Sequence, residues 1–148
     1  MNIAYFLIPK SNVAFLYDDF TFRQGLEKMR HHGYTAIPVI TRSGKYAGTV
    51  SEGDFLWHLL DTRSDTDAPL TLRDAENLRI SDILRRTSYP SVRITVSMEE
   101  LLRSAMNQNF IPVVDDLGNF IGIVTRKDIL HWMAEQSAAE PELLRRIV

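Results

Sequence analysis

Residues 36–56, AIPVITRSGKYAGTVSEGDFL, return at 110–130 as FIPVVDDLGNFIGIVTRKDIL without a gap. Pro38 and Pro112, Gly44 and Gly118, Gly48 and Gly122, and Asp54 and Asp128 all stand 74 residues apart. A repeat of this kind constrains the fold more than any single motif, because one supersecondary unit is used twice and each copy must bury its apolar face against a neighbour. Upstream, the spacing that aligns the helical pattern is 76, pairing Thr21 with Ser97, Phe22 with Met98, Leu26 with Leu102 and Met29 with Ala105. The same spacing sets Ile8 against Leu84 and Ala14 against Pro90. The chain therefore divides into a first copy at 1–60, a polar, acidic connector at 61–78 interrupted by Pro69, a second copy at 79–134 and a tail at 135–148.

Each copy reads as strand, helix, strand, strand, helix. Thr21 and Ser97 precede Gln24 and Glu100 by the capping-box spacing and start helices whose apolar faces carry Phe22, Leu26 and Met29, or Met98, Leu102 and Ala105. The strands at 36–40 and 110–114 each contain a proline, which predicts an edge or a bulge because proline donates nothing to a ladder. Ser43-Gly44 and Leu117-Gly118 mark turns into returning strands at 46–50 and 120–124. Gly48 and Gly122 inside those strands predict close approach by another backbone or a ligand. The closing helices, from Glu52 and Arg126, are expected to bury Phe55, Leu56 and Leu59, and Ile129, Leu130 and Met133, with Trp57 and Trp132 at the edges of these faces or at a partner interface.

Composition removes several function classes. With 17 Lys and Arg against 19 Asp and Glu, a net charge of −2, bulk attraction to DNA or RNA is not expected. The chain has no cysteine, so it has no disulfide framework, thiolate metal site or cysteine nucleophile. The apolar run at 3–8 is shorter than a secretory signal's apolar region of roughly 7 to 15 residues. It is also far short of the ~20 residues of a membrane span. A cytoplasmic, unanchored protein is the expectation. No Walker glycine loop, nucleophile–base pair or metal-ligand cluster is visible, so an enzyme such as a nucleotide hydrolase is not expected. His31-His32 reads as a solvated or capping pair, and Arg85-Arg86 and Arg145-Arg146 as helix C-terminal charges facing water. The tail, with Leu143 and Leu144 after Pro141, is open between one more helix and a segment packed on a partner.

The chemistry concentrates in TVSEGD (49–54) and IVTRKD (123–128). Ser51 and Thr125 fall at helix N-caps, where unpaired amides and the helix dipole favour a phosphate. Asp54 and Asp128 lie one turn further on, each a carboxylate able to accept hydrogen bonds. The same [ST]-x-x-D spacing is a plain capping box. Thr71 and Asp74 match it too, without a preceding Gly-containing strand, and no ligand is assigned to them.

A β-α-β-β-α unit with a proline strand, then G-x-x-[ST]-x-x-D opening a helix, present twice, resembles the CBS motif first named for cystathionine β-synthase. The resemblance covers nearly the whole chain and implies a stand-alone CBS pair, or Bateman module. Its fold would be α+β, two motifs packed about a pseudo-twofold axis, each with a small sheet and two helices. Pairs of this family bind adenosyl ligands in two clefts. Carried over, the first cleft would join Thr125, Arg126, Lys127 and Asp128 to Val13, Ala14, Thr35, Ala36 and Ile37. The second would join Ser51 and Asp54 to Ser91, Asn109, Phe110 and Ile111. Arg126 and Lys127 give the first cleft two cations where the second has Glu52 and Gly53, so a polyanionic ligand is expected to prefer the first.

Val13-Ala14, the run Gly33 to Pro38 and Thr125-Arg126-Lys127 also resemble the small Gram-positive CBS-pair receptors that bind cyclic di-AMP. Asp128 departs from that narrower pattern. A carboxylate suits the free 2′ and 3′ hydroxyls of AMP, ADP or ATP, whereas a 3′,5′-linked cyclic dinucleotide keeps only the 2′ hydroxyl. The resemblance thus implies an adenine-nucleotide sensor without a catalytic cofactor, the nucleotide being its regulatory ligand, working as a homodimer on an unidentified partner protein. The other reading is an interaction and dimerisation module with empty clefts, its two aspartates serving only as caps.

Overall fold

The computed structural model of the chain describes residues 2–62, 72–85 and 88–139. The first copy contributes β1 (Ile8–Pro9), β2 (Leu16–Tyr17), α1 (Phe22–His32), β3 (Ala36–Ile40), β4 (Tyr46–Ser51) and α2 (Glu52–Thr62). Short helices α3 (Leu72–Asn77) and α4 (Ile80–Ile83) follow, then β5 (Val92–Arg93), α5 (Met98–Asn107), β6 (Phe110–Val114), β7 (Phe120–Thr125) and α6 (Arg126–Ala139). The strand–helix–strand–strand–helix order is present twice, in an α+β fold with two small sheets. No described helix is long and apolar enough to cross a membrane.

The predicted caps form. Thr21 and Gln24 make a complete capping box, each side chain accepting from the other residue's amide at 3.1 and 2.9 Å, and Ser97 Oγ accepts from the Glu100 amide at 3.2 Å. Gly33 ends α1 in the left-handed conformation, φ 68°, which a residue without a Cβ adopts at no steric cost. The proline strands lie at the centre of their sheets, whose orders are β2-β3-β4 and β1-β7-β6-β5. Proline is tolerated there because β2 pairs with β3 only at Val39 and Ile40, and β5 with β6 only at Val113 and Val114. Beside Pro38 and Pro112 the parallel partner has not yet begun, and the register shifts follow at Val39/Ile40 and Val113/Val114.

The two copies are interlocked rather than placed side by side. Strand β1 leaves the first copy and pairs antiparallel with β7 of the second, Ile8 facing Ile123 and Pro9 facing Gly122. Arg85 repeats the crossing in reverse by bridging Thr49 of β4. Each core is completed from the other copy. Ile3 and Phe6 pack with Leu101, Ile111, Val113, Val124 and Ile129, while Ile80 and Ile83 pack with Leu16, Phe22, Ile37, Val50 and Phe55. At the centre the hairpins meet through reciprocal bonds, Tyr46 N to Gly118 O at 3.2 Å and Phe120 N to Gly44 O at 2.9 Å, flanking a Lys45–Asn119 bridge. These are repeat-equivalent residues, so the pseudo-twofold axis passes between them.

Several expectations are corrected. Leu56 and Leu130 are not buried by the closing helices but stand 55% and 57% exposed, and Met133 is likewise exposed; Trp57, expected at an edge or an interface, is exposed too. Trp132 instead packs edge-on against Phe6 at 5.7 Å. The sequence leaves the packing of the connector open, and its end docks on the body: Arg23 pairs with Glu76 of α3 at 2.9 Å, and Phe22 N donates to Leu78 O at 2.8 Å. Arg85 does not simply face water, because its guanidinium binds Asp54. Pro69, Thr71, Arg86, Pro141, Leu143, Leu144, Arg145 and Arg146 lie outside the described residues.

The close approach anticipated at both strand glycines is realised by crossing backbone. A Cβ at Gly122 would collide with the Ile8 carbonyl, a backbone atom that cannot swing aside. One at Gly48 would meet the mobile end of Leu84 at 2.9 Å and Arg85 O at 3.1 Å. Gly122→Ala is therefore expected to destabilise by about 2 to 3 kcal/mol, at the upper end of overpacking costs, and Gly48→Ala by less. Thermal melts of the two variants check the order.

Candidate functional site

The crossing of β1 over β7 leaves a cleft between the copies. Its cavity, about 330 Å³, is lined by Ile8, Asn12, Val13, Ala14, Gly33, Tyr34, Thr35, Ala36, Pro38, Asn109, Phe110, Ile123 and Thr125. The volume is at the small end of the range for small-molecule pockets, roughly 300 to 1,000 Å³. Its walls combine apolar side chains with a few hydroxyl and amide groups, a composition suited to a flat base with polar edges.

Five residues expected for the first cleft meet here: Val13, Ala14, Thr35, Ala36 and Thr125. Ile37 does not, being fully buried in the first core. Asn109 and Phe110, expected in the second cleft, line this cavity as well. Gly33, Tyr34, Asn12, Ile8 and Ile123 were not among the expected ligand residues. Ile8 and Ile123 come together only through the register of β1 on β7, which joins distant segments and leaves no local sequence signal.

Helix α6 starts at the cavity edge. Thr125 Oγ1 caps it by accepting from the Asp128 amide at 3.2 Å, and the Arg126 amide donates to Asn109 O at 2.9 Å. The Arg126 side chain turns to the other side of the helix, where its Nε donates to Ala105 O at 2.6 Å. It lines an apolar groove there with Leu102, Met106, Leu130 and Met133. Lys127 and Asp128 are exposed, one turn from the cavity. The Asp128 carboxylate makes no hydrogen bond or ion pair among the described residues.

Its repeat equivalent is fully engaged. Asp54 Oδ2 accepts from the Ser51 amide at 2.9 Å while Ser51 Oγ accepts from the Asp54 amide at 3.3 Å, a reciprocal cap. Oδ1 of the same carboxylate binds Arg85 Nε at 2.9 Å, and the side chain is 7% exposed. Tyr46 closes the same region: its hydroxyl donates to Tyr89 O at 2.6 Å and accepts from Thr49 Oγ1 at 2.8 Å. Burial pushes the Tyr46 phenol well above the usual tyrosine range, which keeps it a donor. Ser91 is half-buried nearby in sequence, and Ile111 is fully buried in the second core.

The motif of the CBS domain matches the chain at residues 7–61 and 80–135. An uncharacterised protein of Methanocaldococcus jannaschii is 24% identical over 140 residues, 78% of this chain and 82% of its own length. Among solved structures, CbpB in complex with c-di-AMP superposes with a TM-score of 0.84 at 22% identity, covering 96% of this chain and 90% of that one. CBSX2 in complex with AMP superposes with a TM-score of 0.72 at 22% identity, covering 92% and 98%. Likeness at that identity establishes the shared fold alone.

The two aspartates separate a capping role from an available one. Asp54→Ala removes half of a capping box and a buried partner of Arg85, and is expected to cost at least ~1 to 2 kcal/mol, as for a lost cap. Asp128→Ala is expected to change stability by less than about 0.5 kcal/mol, as for an uncommitted surface side chain. Urea denaturation of both variants without any nucleotide measures the difference.

Proposed function

The chain belongs to the CBS domain family, and on that premise we propose that it is a regulatory, non-catalytic sensor of an adenine nucleotide, held in the cleft between its two motifs. The observation that carries this reading is the open cleft with an uncommitted carboxylate one turn beyond it. The base would enter among Val13, Ala14, Tyr34, Ala36 and Phe110, residues that line the cavity. Thr35, Asn109 and Thr125 offer polar groups at its edge. Asp128 would accept from the ribose hydroxyls and Lys127, at the start of α6, would meet the phosphate. Arg126, engaged with Ala105, holds the helix in place rather than supplying a cation.

CbpB and CBSX2 are seen in complex with c-di-AMP and AMP, both of which contain an adenosine. AMP fits Asp128 better, because it offers two vicinal hydroxyls where the cyclic dinucleotide keeps one and brings a phosphate close to the carboxylate. Binding would act by population shift, tightening the packing of the two motifs and altering a surface that a partner protein reads. That effect needs differential affinity for two states.

The helical faces fit a second copy of the chain. Leu26, Leu56, Trp57 and Leu60 are exposed on α1 and α2, and Met106, Leu130 and Met133 on α5 and α6, so the corresponding helix pair of each copy exposes apolar side chains, with Leu56 and Leu130 repeat-equivalent. Contiguous apolar surface of this kind marks interaction sites. A homodimer is the expected state. Sedimentation equilibrium is expected to return twice the chain mass, and Leu56→Glu with Leu130→Glu to return one; a monomeric wild type removes the dimer.

The nucleotide reading is tested by thermal shift against AMP, ADP, ATP and cyclic di-AMP. A ligand at a hundred times its Kd stabilises by ~2.7 kcal/mol, several degrees in a chain of this size. Asp128→Ala is expected to weaken AMP by roughly 10- to 100-fold, the equivalent of one charged hydrogen bond at ~1.5 to 3 kcal/mol. Cyclic di-AMP should lose less. No shift with any of the four would leave the interaction module with empty clefts.

A further inference from the structure

The repeat makes the two clefts equivalent in position, yet their fillings differ. Where the first has Val13 the second has Tyr89, and where the first has Ala36 the second has Phe110. The Tyr89 ring packs against Phe110, tilted, with centroids 4.9 Å apart and planes 34° from parallel, within the range of an aromatic pair. The segment that carries it is anchored on both sides of the ring. Arg85 bridges Thr49 before it, and after it Pro90 O accepts from the buried Gln108 amide at 3.3 Å. Tyr89's own carbonyl takes the Tyr46 hydroxyl at 2.6 Å.

We propose that Tyr89 is an internal occupant of the second cleft, its ring standing where a base would stack, so that the chain takes a single nucleotide, in the first cleft. The inference rests on the nucleotide reading above and specifies its stoichiometry. A ligand entering the second cleft must lift Tyr89 from Phe110, and it meets an Asp54 already held by the Ser51 amide and Arg85. Entry into the first displaces none of these. Phe110 is shared, since it lines the first cavity while carrying Tyr89. Tyr89 thereby also props a wall of the occupied site.

Replacing Tyr89 by valine copies the first cleft's residue and keeps the carbonyl that binds Tyr46. Calorimetric titration with AMP, and separately with cyclic di-AMP, is expected to give one site per chain for the wild type and for Tyr89→Phe. Two sites are expected for Tyr89→Val, and none for Ala36→Phe, which puts into the first cleft the bulk that Phe110 gives the second. Two sites in the wild type overturn the proposal, as does a single site in a Tyr89→Val protein whose circular dichroism is native. The wild-type count decides even where Tyr89→Val does not fold. Failure of the nucleotide reading looks different: neither ligand gives heat with any of the four proteins, and this inference falls with it.

Discussion

Two backbone hydrogen bonds, Tyr46 N to Gly118 O and Phe120 N to Gly44 O, hold the hairpins of the two copies against each other, and the remaining geometry is arranged about them. They join repeat-equivalent residues, so they define the pseudo-twofold axis. Lys45 adds a bond from its ammonium to Leu117 O at 2.6 Å. Beside the axis the Tyr46 and Phe120 rings stack with centroids 6.2 Å apart, in a central cluster with Val13 and Ile40. Val13 also lines the cleft. The cleft is thus a consequence of where the two hairpins are pinned, because its walls come from both copies and neither copy alone contains it.

What the amino-acid sequence disclosed was mostly local. The spacing of Pro, Gly and Asp landmarks revealed the repeat, and the Thr21–Gln24 and Ser97–Glu100 pairs revealed the helix starts, because capping and turn chemistry act over three or four residues. The glycine at 122 disclosed that something crosses β7 closely, but not that the crossing strand comes from the first copy. Leu56, Leu130 and Met133 follow the apolar periodicity of a buried face and are nonetheless exposed. Periodicity says which side of a helix is apolar and is silent on whether this chain or another covers it.

The candidate site was legible in outline for the same reason. Residues adjacent in sequence to the [ST]-x-x-D signatures and the proline strands could be named, and Val13, Ala14, Thr35, Ala36 and Thr125 do line one cavity. Side-chain direction was not legible. Arg126 and Lys127 are neighbours in sequence, yet Arg126 turns to Ala105 while Lys127 is exposed. Asp54 and Asp128 share a motif and differ in every side-chain contact, because Arg85 reaches one and no described residue reaches the other. Equivalence by repeat fixes backbone position, and the side chains that arrive from elsewhere decide what each position does.

The exchange of leading segments also sets an order of assembly. The first core needs Ile80 and Ile83, and the second needs Ile3 and Phe6. During synthesis residues 3–8 have no sheet to join until β7 has emerged, since Ile8 pairs with Ile123. Contacts of such long sequence separation form late and slow folding, because the loop-closure entropy comes before the contact. Until then Ile3, Phe6 and Ile8 remain exposed, and a nascent chain halted after the first copy would present the same apolar surface to chaperones or to other nascent chains.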